Sequence, residues 1–218
     1  MTGPRFDDAL DRRRLLGVGG MAVLSAAVLG ACSGGHRPRP GPAPTTTSST
    51  AVPDNSGDIR ILRTASSLEH YMVGVYLEAA GRGLLKSAMA IDVVKAFADH
   101  HSQHAGAFEG ATARIGGQPF TQANPVLSRM AAPRIAALRT ETDVLRLAYE
   151  LETTAAATYY AATGTLAIRP VDATMTSVEA VEARHAAVLA TMLGPDTAPY
   201  RSDGFIVADG AVTPGVGV

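Results

Sequence analysis

The sequence has few cysteines, few aromatic residues and little net charge, and each of these shortages excludes a class of protein. Its 218 residues include one cysteine and no tryptophan, 5% are aromatic, and the formal net charge is -1. A single cysteine excludes an internal disulfide. Because there is no basic excess, the composition predicts no nucleic-acid partner. The length fits one compact domain of roughly 100–200 residues together with a leader segment.

The first 31 residues have the layout of a secretory signal peptide. An arginine cluster that includes Arg12 and Arg13 precedes an apolar run from Leu15 to Ala31, which is glycine-rich and short for a spanning helix of ~20 residues. The cluster resembles a twin-arginine export motif, and the run ends in a sequence that resembles a lipobox at Cys32. We therefore predict export, lipidation of Cys32 and anchoring at the outer face of the bacterial cell membrane. A retained signal anchor, or cleavage without lipidation, is the alternative.

Composition divides the rest of the chain into three parts. Residues 32–57 are rich in proline, threonine and serine, with almost nothing to bury, and predict a disordered tether. Residues 58–194 carry helical periodicity and form the predicted domain. Residues 195–218 are rich in proline and glycine and predict an irregular tail on the surface.

Hydrophobic spacing predicts an all-α domain of four long helices and one short helix. The predicted long helices cover 58–80 and 87–115, a third begins near residue 140, and a fourth runs from about residue 170 to the Gly194 stop. Thr140 with Asp143, and Thr176 with Glu179, are predicted to cap the third and fourth helices. A crossover at 117–126 leads into the short helix over 126–138, which we expect to break near Pro133.

Acids and histidines lie on the apolar stripe of every long helix, where a soluble bundle would carry hydrophobic residues. The inward positions are Glu69, His101, His104, Glu152, Glu182 and His185. By helical rotation, Glu78, Asp99, His100, Glu109 and Glu150 point elsewhere.

The pattern also repeats along the chain. A glutamate followed by a tyrosine, Glu69 with Tyr76, precedes the first histidine pair, and Glu152 with Tyr159 precedes Glu182-Ala-Arg-His185. A duplicated helix pair with one lone glutamate and one i, i+3 pair in each half is how a four-helix bundle builds a metal site.

Ionised carboxylates are rarely buried unless they are paired or bind a metal. No lysine or arginine lies on the four stripes to pair with them. Taken singly, each histidine would be read as a hydrogen-bonded core residue and each tyrosine as core packing, but six such positions together favour a metal centre. The tyrosines could also hydrogen-bond to the metal ligands or relay an electron.

The domain resembles the ferritin-like proteins of the rubrerythrin-related kind. Glu69 and Glu152 match the lone glutamates of the first and third helices, Glu182-Ala-Arg-His185 matches the Glu-x-x-His pair of the fourth, and His104 matches the histidine of the second. The resemblance implies a four-helix bundle of two repeated helix pairs joined by a crossover. It also implies iron or manganese as the cofactor, at a site for one or two ions, with zinc as a further candidate.

His101 is the one departure from this resemblance, because the family's dinuclear sites have a glutamate there. An imidazole normally binds one ion, whereas a carboxylate can bridge two. An asymmetric dinuclear site, a mononuclear site and a relic bundle therefore all stay open.

Two functions follow from this reading. The first is a membrane-anchored metal-binding protein with oxidase-type or peroxidase-type redox activity. In it, Glu69 and Glu152 are terminal carboxylate ligands and Glu182 is the bridging one. The nitrogen ligands are His101, His104 and His185. The second is a non-catalytic envelope lipoprotein, a binding module or scaffold whose metal site has degenerated. Both place the chain at the membrane through its lipid anchor and are compatible with a homodimer, and the sequence names no redox partner.

Overall fold

The computed structural model of the chain describes residues 54–195 and 208–218. Within those ranges the regular secondary structure is helical throughout, with no strand. The helices are α1 (Ser56–Gly81), α2 (Ala88–Arg114), α3 (Pro125–Ala137), α4 (Glu141–Ala162) and α5 (Arg169–Leu193). The predicted all-α class is confirmed.

The four long helices associate mainly as two neighbouring pairs. α1 packs along α2, and α4 packs along α5, with further contacts from α1 to α4 and from α2 to α5. Their apolar stripes are buried together, with Leu62, Met72, Phe108 and Leu189 fully inaccessible to solvent. α3 lies between the two pairs in the chain and packs on α1. The inward faces of the long helices therefore surround a shared interior.

The ends of α4 and α5 show one correct and one wrong prediction. Thr140 and Asp143 form the predicted capping box at the start of α4. α5 instead begins two turns before Thr176, so the predicted cap formed by Thr176 and Glu179 is wrong. The chain just before α5 is held by Asp58 of α1, whose carboxylate oxygens accept hydrogen bonds at 3.0 Å from two backbone N–H groups. A tertiary contact of this kind leaves no local pattern in the sequence.

The predicted break at Pro133 is also wrong, since α3 continues through this residue. Proline removes one backbone donor and crowds the preceding turn. Pro133 is exposed, whereas Ala131 and Ile135 are buried. The altered turn therefore lies on the solvent side of α3, where it disturbs no packing.

The described part of the C-terminal segment, 208–218, is irregular and lies against the helices. The backbone N–H of Val212 donates to Thr158 Oγ1 at 3.0 Å, and that of Gly215 donates to Thr64 Oγ1 at 2.8 Å. These hydrogen bonds join the segment to α4 and α1.

Several predictions concern the first part of the chain. Arg12, Arg13, Cys32 and most of the proposed tether lie outside the described residues and stay predictions. None of the described helices combines the length and the apolar run that crossing a membrane requires.

Candidate metal centre

The fold brings all six inward acids and histidines to one place. They come from four helices: Glu69 from α1, His101 and His104 from α2, Glu152 from α4, and Glu182 and His185 from α5. All are buried except His104, which is half-buried. They form two overlapping sets of four, Glu69-His101-His104-Glu182 and His101-Glu152-Glu182-His185, and within each set the ligand atoms lie within 4.8 Å of one another.

Glu182 lies between the two sets and directs one oxygen to each. Its Oε1 is 2.7 Å from His104 Nδ1, and its Oε2 is 3.2 Å from His185 Nδ1. His185 Nδ1 is also 3.2 Å from Glu152 Oε2. Because Glu182 and His185 are one helical turn apart on α5, their side chains lie on the same face. Glu182 thus has the position that a carboxylate shared between two sites would occupy.

His101 lies between two carboxylates and contacts one with each ring nitrogen. Its Nδ1 is 2.8 Å from Glu69 Oε2, and its Nε2 is 3.0 Å from Glu152 Oε1. An ionised carboxylate only accepts hydrogen bonds, so both contacts are hydrogen bonds only when both ring nitrogens carry a proton. Burial alone would lower the pKa of His101, but its hydrogen bonds to Glu152 and Glu69 raise that pKa well above the usual value. The doubly protonated ring is therefore a cation held by two anions.

Two buried tyrosines hold the same carboxylates from the opposite repeat. The Tyr76 hydroxyl donates to Glu152, and the Tyr159 hydroxyl donates to Glu69 Oε1 at 2.5 Å. Burial and the neighbouring carboxylates raise the pKa of both tyrosines well above the usual range, so both stay protonated and donate. Each repeat thus supplies the donor for the other repeat's glutamate. Hydrogen bonding to the proposed ligands, one of the two roles suggested by the sequence, is what these tyrosines do.

Two buried atoms have no hydrogen-bond partner among the described residues, and they test whether the site fits a metal ion. They are His104 Nδ1 and Glu182 Oε1, which are 2.7 Å apart but are not oriented as donor and acceptor. Their contact is therefore an attraction between charges without an aligned hydrogen bond. A cation bound by both atoms would satisfy both of them. Imidazole and carboxylate donors suit iron, manganese and zinc, so the residues present fit a divalent transition-metal ion.

His100 was predicted to point away from the site, but it contacts a member of it. His100 Nδ1 is 2.9 Å from His185 Nε2, and the His185 ring also stacks on Phe97 with 3.7 Å between ring centroids. α2 touches α5 as well as α1, so a residue one position from the inward stripe reaches the α5 side. Burial and the adjacent His185 lower the pKa of His100. His100 is thus a neutral partner on the far side of the His185 ring.

His104 differs from its neighbours in its exposure. Its side chain is 12% exposed, whereas those of Glu69 and Glu182 are fully buried. Burial would lower the pKa of His104, but the nearby carboxylates of Glu182 and Glu69 raise it from 6.5 to about 9. A metal ion that binds Nδ1 must therefore displace a proton from a ring that holds it near neutral pH.

The acids that were expected to lie outside the site do so. Glu78, Asp99 and Glu150 are exposed. Glu109 pairs at 2.6 Å with His70, and both side chains are partly exposed. Helical rotation therefore separates the buried acids from the solvated ones correctly.

Comparison with known protein families agrees with this architecture. The family described as ferritin-like domain matches residues 57–195, which is more than half of the chain and includes all five helices except the first residue of α1. No curated protein and no solved structure gives a significant match. The chain belongs to the ferritin-like domain family.

Proposed function

We propose that this protein binds a redox-active divalent ion, iron or manganese, inside a four-helix bundle made of the repeated pairs α1–α2 and α4–α5 with a crossover through α3. The observation that carries the proposal is the unpartnered pair His104 Nδ1 and Glu182 Oε1, buried among further carboxylates and imidazoles. Family membership supports it, because the matched region contains every residue of the site.

The proposed ligands divide by their positions. Glu69 and His104 would hold the ion from the α1–α2 side, Glu152 and His185 line the α4–α5 side, and Glu182 would be shared. When bound, iron or manganese would supply one-electron redox chemistry of the oxidase or peroxidase type. The protein's own part is to orient these ligands through Tyr76 and Tyr159 and to keep them away from bulk water.

For His101 we propose a role different from the nitrogen ligand predicted from the sequence. Both of its ring nitrogens already face carboxylate oxygens, at 2.8 and 3.0 Å. Three carboxylates carry three negative charges, and one divalent ion together with a protonated His101 supplies three positive charges. Two divalent ions beside a protonated His101 would give five positive charges against three negative ones. We therefore infer that the natural protein binds one ion per chain, with His101 as the second cation of the centre.

A double substitution, Glu182→Ala with His185→Ala, tests the metal proposal. It removes the shared carboxylate and a histidine of the same turn, so the folded protein is expected to lose its bound metal. A Glu78→Ala, His70→Ala protein is the matched control, because it loses the same residue types outside the site. Elemental analysis of the two purified proteins, with circular dichroism to verify their helix content, gives the answer. Equal metal content in both proteins would refute the assignment.

The second candidate function is a scaffold that has lost the chemistry. It is favoured by one observation: within the site, Glu69 and Glu152 already have hydrogen-bond donors in His101 and the two tyrosines. A bundle stabilised by this network alone would have the same melting temperature with and without a chelator. An ion bound only by the folded state must raise the melting temperature.

We also propose that the chain is exported and held by a lipid at Cys32 on the outer face of the bacterial cell membrane. The support is the sequence of the leader, with Arg12 and Arg13 before the apolar run and Cys32 at its end. Substituting Cys32→Ala is expected to move the protein from the membrane fraction to the soluble fraction, as measured by fractionation and immunoblotting. An Arg37→Ala protein serves as the control in the neighbouring segment. Continued membrane association of the Cys32→Ala protein would exclude the lipid anchor.

A further inference from the structure

Among the proposed metal ligands, His104 is the most exposed to solvent. The side chains of Glu69, Glu152 and Glu182 are fully buried, and that of His185 is 4% exposed. His104 is 12% exposed, although its Nδ1 has no exposure of its own. Solvent therefore reaches the outer part of the His104 ring, while the inner nitrogen faces the site. An ion that enters the site from this side therefore meets His104 first.

A groove of about 490 Å³ between α2 and α5 leads to this histidine. Its lining consists of Gln103, His104, Ala107, Ala173, Thr174, Ser177, Val178 and Val181. Alanine and serine on the two walls leave the space between the helices unfilled. No lysine, arginine or carboxylate is among these lining residues, so apart from His104 the groove presents only uncharged groups.

The polar atoms of the groove suit a hydrated cation in transit. Gln103 Nε2 donates to Asp99 Oδ2 at 2.8 Å, which leaves the amide oxygen as the free end of that side chain. Thr174 donates its hydroxyl to a backbone carbonyl, so its oxygen lone pairs remain available. Neutral oxygens can replace water around a cation without the strong attraction of a carboxylate. The exposed Asp99 adds a negative charge next to Gln103.

We propose that this α2–α5 groove is the entrance through which a hydrated divalent cation reaches the centre, with His104 as the first ligand it meets. This inference rests on the proposed metal-binding function and adds the route of loading to it. His104 is partly exposed, lines the groove and carries the unpartnered nitrogen. We therefore assign the entrance to the α2–α5 side. The faces between α1 and α2 and between α4 and α5 are tightly packed.

Filling the groove tests the route. In an Ala107→Leu, Ser177→Leu protein, two exposed small residues on opposite walls become bulky without a change in charge. After chelator treatment, Co²⁺ is added and its visible absorption is followed in a stopped-flow instrument. The initial rate of loading is expected to fall at least tenfold, while the final amount of Co²⁺ stays at the wild-type value. The control is Ala113→Leu with Ala187→Leu, on exposed positions of the same helices outside the groove, and it should load at the wild-type rate.

A second variant separates the blocking of the groove from folding, because the bulky group is added after the protein has folded. Ser177→Cys, made together with Cys32→Ala, is folded first and then modified with a bulky thiol reagent. Modification is expected to slow Co²⁺ loading, whereas modification of an Ala187→Cys protein should not. Full loading at equal rates in all these proteins would overturn the entrance and leave the metal centre intact. A lower final Co²⁺ content in the modified Ser177→Cys protein would count against a pure route effect, and failure of the wild type to bind Co²⁺ would refute the centre itself.

Discussion

A His101→Glu protein is expected to bind two divalent ions per chain, whereas one ion is proposed for the natural protein. The substitution removes a buried cation and adds a carboxylate, so four carboxylates then balance two divalent ions. Glu182 already directs one oxygen to each of the two ligand sets. The new glutamate would start from the position of the His101 ring, which belongs to both sets. Elemental analysis at a known protein concentration measures the change directly.

The control for this substitution is His101→Gln, which removes the cationic imidazole without adding a carboxylate. It is expected to bind no more than one ion, because three carboxylates do not balance two divalent ions. Without metal, both variants leave buried carboxylates uncompensated. Breaking a buried ion pair in this way costs about 3–5 kcal/mol, so the melting temperature of each should depend strongly on added metal. Two ions in the natural protein, or one ion in His101→Glu, would contradict the charge argument.

The inward positions of the site could be predicted because helical rotation decides them locally. Glu69 lies on the stripe of α1 that Leu62 and Met72 define, and once that stripe is buried the carboxylate is buried with it. The same reasoning places Glu78 in solvent, where the structure has it. Periodicity therefore predicts which residues are buried, and the chemistry of buried carboxylates predicts that they converge on a cation.

The contacts between helices could not be predicted in the same way. His100 is one residue from the inward stripe and reaches His185 only because α5 lies beside α2. Asp58 accepts hydrogen bonds from the two residues just before α5, across a long separation in sequence. The sequence of one helix does not indicate which other helix packs against its side. Such contacts are therefore seen only in the assembled structure.

The tyrosines illustrate the same limit within the repeat. Tyr76 and Tyr159 were recognised from their equal spacing after Glu69 and Glu152. Equal spacing does not indicate that each hydroxyl would bind the glutamate of the other repeat. This exchange follows from packing the two pairs face to face, so that each tyrosine points across the interior. It makes each half of the site dependent on the other half for the position of its carboxylate.

Between pH 6.5 and 9, the free energy of unfolding of the apoprotein is expected to fall, whereas the metal affinity of the protein is expected to rise. Folding raises the pKa of His104 from 6.5 to about 9. The resulting stabilisation is fully present below pH 6.5 and is lost as the pH rises through about 9. From the size of the shift it amounts to about 3 kcal/mol at most. Metal affinity should instead increase by about tenfold per pH unit over this range, because one proton leaves His104 for each ion bound.

Denaturant unfolding of the chelator-treated protein, and Co²⁺ titration at the same pH values, measure the two slopes. His104→Gln is expected to flatten both, since glutamine carries no proton to lose. His70→Gln changes a partly exposed histidine outside the site and should leave both slopes near those of the natural protein. A Co²⁺ affinity that stays constant from pH 6.5 to 9 would show that the ion does not displace the His104 proton. The Nδ1 atom would then no longer support a metal centre at this position.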